Sequence, residues 1–236
     1  MRQLVLDINP GVTPTLDNFV IGRNAEVIDT LRILVAGDSA ERFVYLWGEQ
    51  GAGKSHLLRA IASAYTKGKA VYRACEEGMG FGARPDGDLF LVDNVQRLTD
   101  NGQISLFNVY NQMREANGIL IVTGDTPPAE LKVRDDLKTR LAWGLAYQLH
   151  VLNEQETAAA LKRHAHGRGM FLSDEVVNYL FSHWKRDLPS LLMALDKLDE
   201  FSLEAKRPVS IPLLKKALKG EDPQMQMPMD EGNKCS

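Results

Sequence analysis

The run Gly48-Glu-Gln-Gly-Ala-Gly-Lys54-Ser55 works in only one setting, the turn between a strand and the helix that follows it. It satisfies G-x-x-x-x-G-K-[ST] in full. An apolar stretch, 43–47, precedes it, and Leu57, Leu58 and Ile61 follow at helical spacing. Gly48, Gly51 and Gly53 let the backbone turn back so that its N–H groups face a phosphate, and the helix N-terminus adds positive potential. Lys54 can neutralise β- and γ-phosphate oxygens, and Ser55 can ligate magnesium. A glycine-rich turn with an incidental lysine is the plain alternative, and the flanking strand and helix argue against it.

Around this loop, short apolar strand candidates alternate with helical segments: 43–47, 71–74, 89–92, 119–122 and one near 146–149. The alternation predicts an α/β fold, a parallel sheet sandwiched by helices. After Val151 the pattern becomes purely helical. Asn153 with Glu156 reads as a capping box, and the glycines of His166-Gly167-Arg168-Gly169 read as a stop. Ser173 caps the next helix, with Leu172 and Val177 as a hydrophobic staple. Asp187 opens a third, whose apolar face carries Leu188, Leu191, Leu192, Leu195 and Leu198. The expected organisation is a peptide over 1–14, an α/β nucleotide-binding domain over 15–151, a small all-α domain over 152–219 and a frayed tail over 220–236.

A second phosphate-site element is expected at the end of a neighbouring strand. Asp88-Leu-Phe-Leu-Val-Asp93 offers an apolar run ending in Asp93, which would hold magnesium through water. Read alone, Asp93 is also a common way to end a strand. The next residue is Asn94, and an amide cannot accept a proton as a carboxylate does, so binding is a safer expectation than hydrolysis. The balance of 28 Lys+Arg against 31 Asp+Glu, a net charge of −3, advertises no general affinity for nucleic acid. Cys75 and Cys235 lie far apart with no signal peptide in view, and no apolar run approaches the roughly 20 residues of a membrane span, so a cytoplasmic protein is expected. No Cys/His metal cluster or nucleophile elbow stands out, which disfavours a DNA-modifying enzyme.

Taken together, residues 15–218 resemble the AAA+ domain of the DnaA-like family, and most closely its shortened regulatory branch. Phe19-Val-Ile-Gly22-Arg-Asn24 is similar to the linker along the adenine, which implies base contacts for Val20 and Ile21. Without the family these six residues are only a turn before a helix. Ile121-Val-Thr-Gly-Asp125 matches the sensor 1 segment, with Asp125 in the sensing place. Asp136-Leu-Lys-Thr-Arg140-Leu-Ala-Trp143-Gly144 resembles box VII, with Arg140 as the arginine finger; taken by itself, Arg140 is a solvated charge on an amphipathic helix. Arg186-Asp187-Leu-Pro-Ser-Leu-Leu matches the sensor 2 region and makes Arg186 the lid's phosphate contact, or else a surface charge beside a cap. Asp136 departs from the arginine usual there, which argues against a DnaA-like filament, although a homo-oligomer stays open. The few residues after Gly220 are not enough for the helix-turn-helix domain of DnaA, so direct sequence-specific DNA binding is not expected.

Gln3-Leu4-Val5-Leu6 resembles the short motif with which bacterial proteins dock on the replicative sliding clamp, the β subunit of DNA polymerase III. Gln3 would supply a directional hydrogen bond, and Leu4 and Leu6 would fill an apolar cleft. Their alternation equally suits an edge strand. The resemblance implies a regulator of replication initiation, with ADP or ATP and Mg²⁺ in its own site, that promotes hydrolysis of ATP bound by DnaA. An autonomous ATPase of the helicase-loader kind is the competing expectation, and a nucleotide-dependent adaptor without finger chemistry is a third.

Overall fold

The apolar stretches become five short strands: β1 (Phe43–Trp47), β2 (Ala70–Ala74), β3 (Leu89–Asp93), β4 (Ile119–Gly124) and β5 (Leu145–Gln148). All pair in parallel, in the order β2-β3-β4-β1-β5. The structure, a computed structural model, describes residues 14–75, 87–205, 207 and 209–217. The peptide expected over 1–14 lies outside them except for Pro14, and so does the tail. The chain divides after Val151 into two compact units.

In the first unit, side-chain alternation along the strands sends apolar groups to both faces of the sheet. Val44, Leu46, Leu91 and Ile121 meet α1 (Ala25–Ala36) and α2 (Lys54–Ala64) on one face. Tyr45, Phe90, Val92, Leu120 and Val122 meet α3 (Asp100–Glu115) and α4 (Asp135–Ala142) on the other. Covering both faces explains why β3 and β4 are buried throughout and read as continuous apolar runs. Because the strands are parallel, their carboxyl ends share one edge, where open sheets of this type place their ligands.

The second unit contains α5 (Glu154–Gly167), α6 (Asp174–His183), α7 (Leu188–Ala205) and α8 (Ile211–Ala217) around a core that includes Leu161, Leu180, Leu191, Leu195 and Leu214. Its boundaries follow local chemistry. Asn153 and Glu156 form a reciprocal capping box at 2.8 Å each way. At the other end of α5, Gly169 adopts φ 75°, and Met170 and Gly169 donate to the carbonyls of Ala165 and His166, a Schellman closure. Ser173 accepts from Val176 N–H to cap α6, and the Asp187 carboxylate accepts from Ser190 N–H at the start of α7. No helix among the described residues is long and apolar enough to cross a membrane.

Cys75, just past β2, is buried, and its N–H donates to the Asp93 carbonyl at 2.8 Å. Burial, reinforced by the Asp93 charge, pushes its thiol up to about 12. A Cys235→Ser chain, which leaves Cys75 as its one thiol, should therefore be inert to thiol reagents at pH 8 and react fully in denaturant. Unfolded, the thiol ionises near 9.0, so folding stability should fall as pH rises from about 9 towards 12. Rapid labelling of the native chain at pH 8 would contradict this burial.

Candidate functional site

The glycine-rich loop leaves β1 at the carboxyl edge of the sheet and enters α2. Gly48 lies so close to the Leu149 carbonyl oxygen that a Cβ there would collide with it. Gly53 adopts φ 89° as the residue before α2, and a Cβ on it would come 2.7 Å from the Phe19 ring. Both positions need glycine, one for close approach and one for left-handed backbone as well. Lys54, 9% exposed, folds back over its own loop and donates to the Gly48 carbonyl at 2.6 Å and the Glu49 carbonyl at 2.9 Å. Burial pushes its ammonium below the usual lysine range, while the charges of Asp93 and Asp125 pull the other way. The loop thus carries a buried cation bound only to neutral oxygens, which a phosphate would displace to advantage. Ser55 follows as the second residue of α2.

Asp93 ends β3 with 1% exposure, and each carboxylate oxygen accepts a hydrogen bond from a neighbouring strand. The Thr123 hydroxyl of β4 donates at 2.6 Å, and the Tyr72 hydroxyl of β2 at 2.9 Å. Both donors are neutral hydroxyls. Asn94 takes φ 62°, a left-handed conformation that asparagine tolerates better than most residues, and its N–H donates to the Thr123 hydroxyl at 3.0 Å. Thr123 and Tyr72 escape a sequence reading because only the strand order makes them neighbours of Asp93. Asp125, exposed just beyond β4, is near enough to raise the Tyr45 hydroxyl, which burial already holds high.

The Ser55 hydroxyl and the Asp93 carboxylate are hard oxygen donors that suit magnesium. Among the described residues no group of three or more His, Cys, Asp or Glu side chains is gathered for a metal. A magnesium ion would therefore draw on phosphate oxygens and water, as it commonly does.

One wall comes from the segment before α1. The Phe19 ring packs over Gly53 and lies 5.7 Å from the His56 ring, and His56 Nε2 is 3.3 Å from the Thr15 carbonyl. Burial holds that imidazole below its ordinary value, so it is neutral at pH 7. Val20 is half-buried, and Ile21 is exposed at the start of the turn. Asn24, at 2% exposure, forgoes the capping role common for asparagine before a helix. Its amide instead donates to the His150 carbonyl at 3.0 Å and accepts from the His150 N–H at 2.8 Å, tying this segment to the chain leaving β5. Its sequence neighbourhood gave no sign of this long-range role.

Two expected arginines are carried by other elements than the loop. Arg140 sits on α4, its guanidinium among aromatic rings, with Nη1 buried and without a hydrogen-bond partner among the described residues. Arg186, before α7 in the second unit, is exposed and pairs with Glu154 at 3.1 Å. Asp136 forms a two-pronged pair with Arg134, at 2.9 and 3.2 Å, which holds its carboxyl below the usual range. Gln3, Leu4 and Leu6 lie outside the described residues.

Residues 12–76 and 83–148 match the family model of the bacterial DnaA ATPase domain, and residues 154–218 match that of the Hda lid domain. A Haemophilus influenzae protein described as uncharacterized is 34% identical over 228 residues, covering 92% of this chain and 98% of its own. Domain III of the Thermotoga maritima replication initiation protein DnaA superimposes with TM-score 0.71 at 20% identity, covering 88% of this chain and 96% of that one. The AMPPCP-bound DnaA of Aquifex aeolicus gives 0.65 at 18%, over 89% and 81%. A Thermotoga maritima RuvB variant gives 0.60 at 17%, over 87% and 71%. The fold is that of AAA+ proteins, a parallel sheet between helices followed by a helical lid.

Replacing Asn24 by alanine removes both links to His150 and should cost ~2 kcal/mol, since two main-chain groups lose their partner. Thermal melting should drop by roughly 4–8 °C. An unchanged melting temperature would show that the tie carries no stability.

Proposed function

Because the chain belongs to the bacterial DnaA ATPase family and carries an Hda-type lid, we propose that it is a DnaA-related regulator of replication initiation that promotes hydrolysis of DnaA-bound ATP. On this reading an adenine nucleotide lies against Val20 and Ile21. Its phosphates meet the N–H groups of the loop from Gly48 through Gly51 and Gly53, and Lys54 turns from its own carbonyls to the phosphate oxygens. Ser55 and Asp93 hold magnesium, Asp93 through water, while Asp125 and Arg186 attend the phosphates as sensors. Asn94 supplies no carboxylate to take a proton from water, so the site retains its nucleotide, with ADP supporting the active form.

The chemistry then occurs in trans. Arg140, which no carboxylate neutralises among the described residues, is offered to the γ-phosphate held by a DnaA subunit, where a guanidinium stabilises charge developing in phosphoryl transfer. That un-neutralised guanidinium is the observation that carries the proposal. Gln3, Leu4 and Leu6 dock the chain on the DNA-loaded sliding clamp, which keeps it at replicating DNA without direct reading of sequence. The intact loop and Asp93 would also serve an autonomous ATPase, the second reading.

The test is ATP hydrolysis by DnaA with DNA-loaded clamp, adding the chain unaltered, as Arg140→Ala, as Lys54→Ala, or with Gln3 and Leu4 both replaced by alanine. The unaltered chain should stimulate hydrolysis, and each variant should return it to the rate of DnaA alone. Lys54→Ala should also abolish the thermal shift on adding ADP, which Arg140→Ala should keep. Brisk hydrolysis by the chain alone, with no stimulation of DnaA, would favour the autonomous ATPase.

A further inference from the structure

Aromatic rings surround the Arg140 guanidinium. Its Cζ lies 4.2 Å from the ring centre of Trp143, 5.6 Å from that of Phe107 and 5.7 Å from that of Tyr110. Trp143 closes α4 three residues after Arg140, the spacing that brings side chains together on one helix face. Phe107 and Tyr110 come from α3, and Arg114, also on α3, lies 5.8 Å from the same Trp143 ring. Tyr110 is buried and belongs to the core of that sheet face, whereas Trp143 is 57% exposed. The indole is therefore not retained as core filling. It is also the nearest of the three rings, and tryptophan offers the strongest face to a cation.

We propose that Trp143 is the positioning residue for Arg140: its indole face fixes the plane of the guanidinium while leaving the charge un-neutralised. A carboxylate could hold the group as firmly, but it would occupy the N–H donors and cancel the charge that a phosphate needs. Aromatic faces hold it without using a single N–H. Consistent with this, Nη1 is buried and has no acceptor among the described residues, so its N–H groups are not committed to a carboxylate. The inference rests on Arg140 acting upon a nucleotide bound by a partner.

Two measurements test it. In the chain alone, the Arg140 guanidinium proton resonances should be shifted by ring current; Trp143→Ala should remove most of that shift and Trp143→Phe should keep part of it. In the coupled assay with DnaA and DNA-loaded clamp, Trp143→Ala should lower the maximal stimulated rate about tenfold with little change in the chain concentration giving half the maximum. Trp143→Phe should recover most of that rate. A resonance unaffected by removal of the indole overturns the proposal, and so does a higher half-maximal concentration at an unchanged maximal rate, which would make Trp143 a docking contact. Loss of stimulation in Arg140→Ala beside full stimulation in Trp143→Ala overturns the assignment of Trp143 alone. Full stimulation by both variants overturns the finger reading and this assignment with it.

Discussion

The Asp93 carboxylate, buried at the end of β3, is held from both sides by the strands that flank it. Thr123 reaches it from β4 and Tyr72 from β2, so both of its oxygens are satisfied by neutral hydroxyls. Other groups at this edge bear on it. Lys54 is close enough for its ammonium to be favoured by the Asp93 charge, although its hydrogen bonds go to its own loop. Asn94 is drawn into the same network through Thr123. The parallel register makes this possible, because it brings the ends of three adjacent strands level at one edge.

Much of this was legible in the amino-acid sequence, and the parts that were share a character. The strand cores, the capping box of Asn153 and Glu156, the cap by Ser173 and the glycine stop after α5 all depend on residues within a few positions of one another. The glycine-rich loop belongs to the same class, since a local motif between a strand and a helix has one conformation open to it. What stayed hidden are contacts between segments far apart in the chain. Tyr72 looks like an ordinary strand residue until β2 and β3 are known to be neighbours. Asn24 reads as part of a turn before a helix, and only the fold shows its amide on the His150 backbone.

Arg140 shows a third case. A family resemblance singled it out, yet read as a helix residue it is a solvated charge. Its surroundings are set by how α3 packs on α4, which places Phe107 and Tyr110 against a guanidinium that Trp143 approaches from its own helix. Asp136, four residues earlier, has its charge taken up by Arg134 within the same stretch of chain. Two ionic side chains on one short helix are thus treated in opposite ways, one neutralised by a close partner and the other not.

On the proposed reading, with Asn94 where a carboxylate would take a proton from water, the site works as an equilibrium device. A site that hydrolyses its ligand draws on a flux and reports the last turnover. One that only binds reports the free concentration of what it holds, and its occupancy adds RT ln(1 + [L]/Kd) to the stability of the fold. Each tenfold rise in ligand above saturation is then worth about 1.4 kcal/mol. On that reading the loop from Gly48 to Ser55 would act as a gauge of the nucleotide pool, read out as how firmly the first unit is folded.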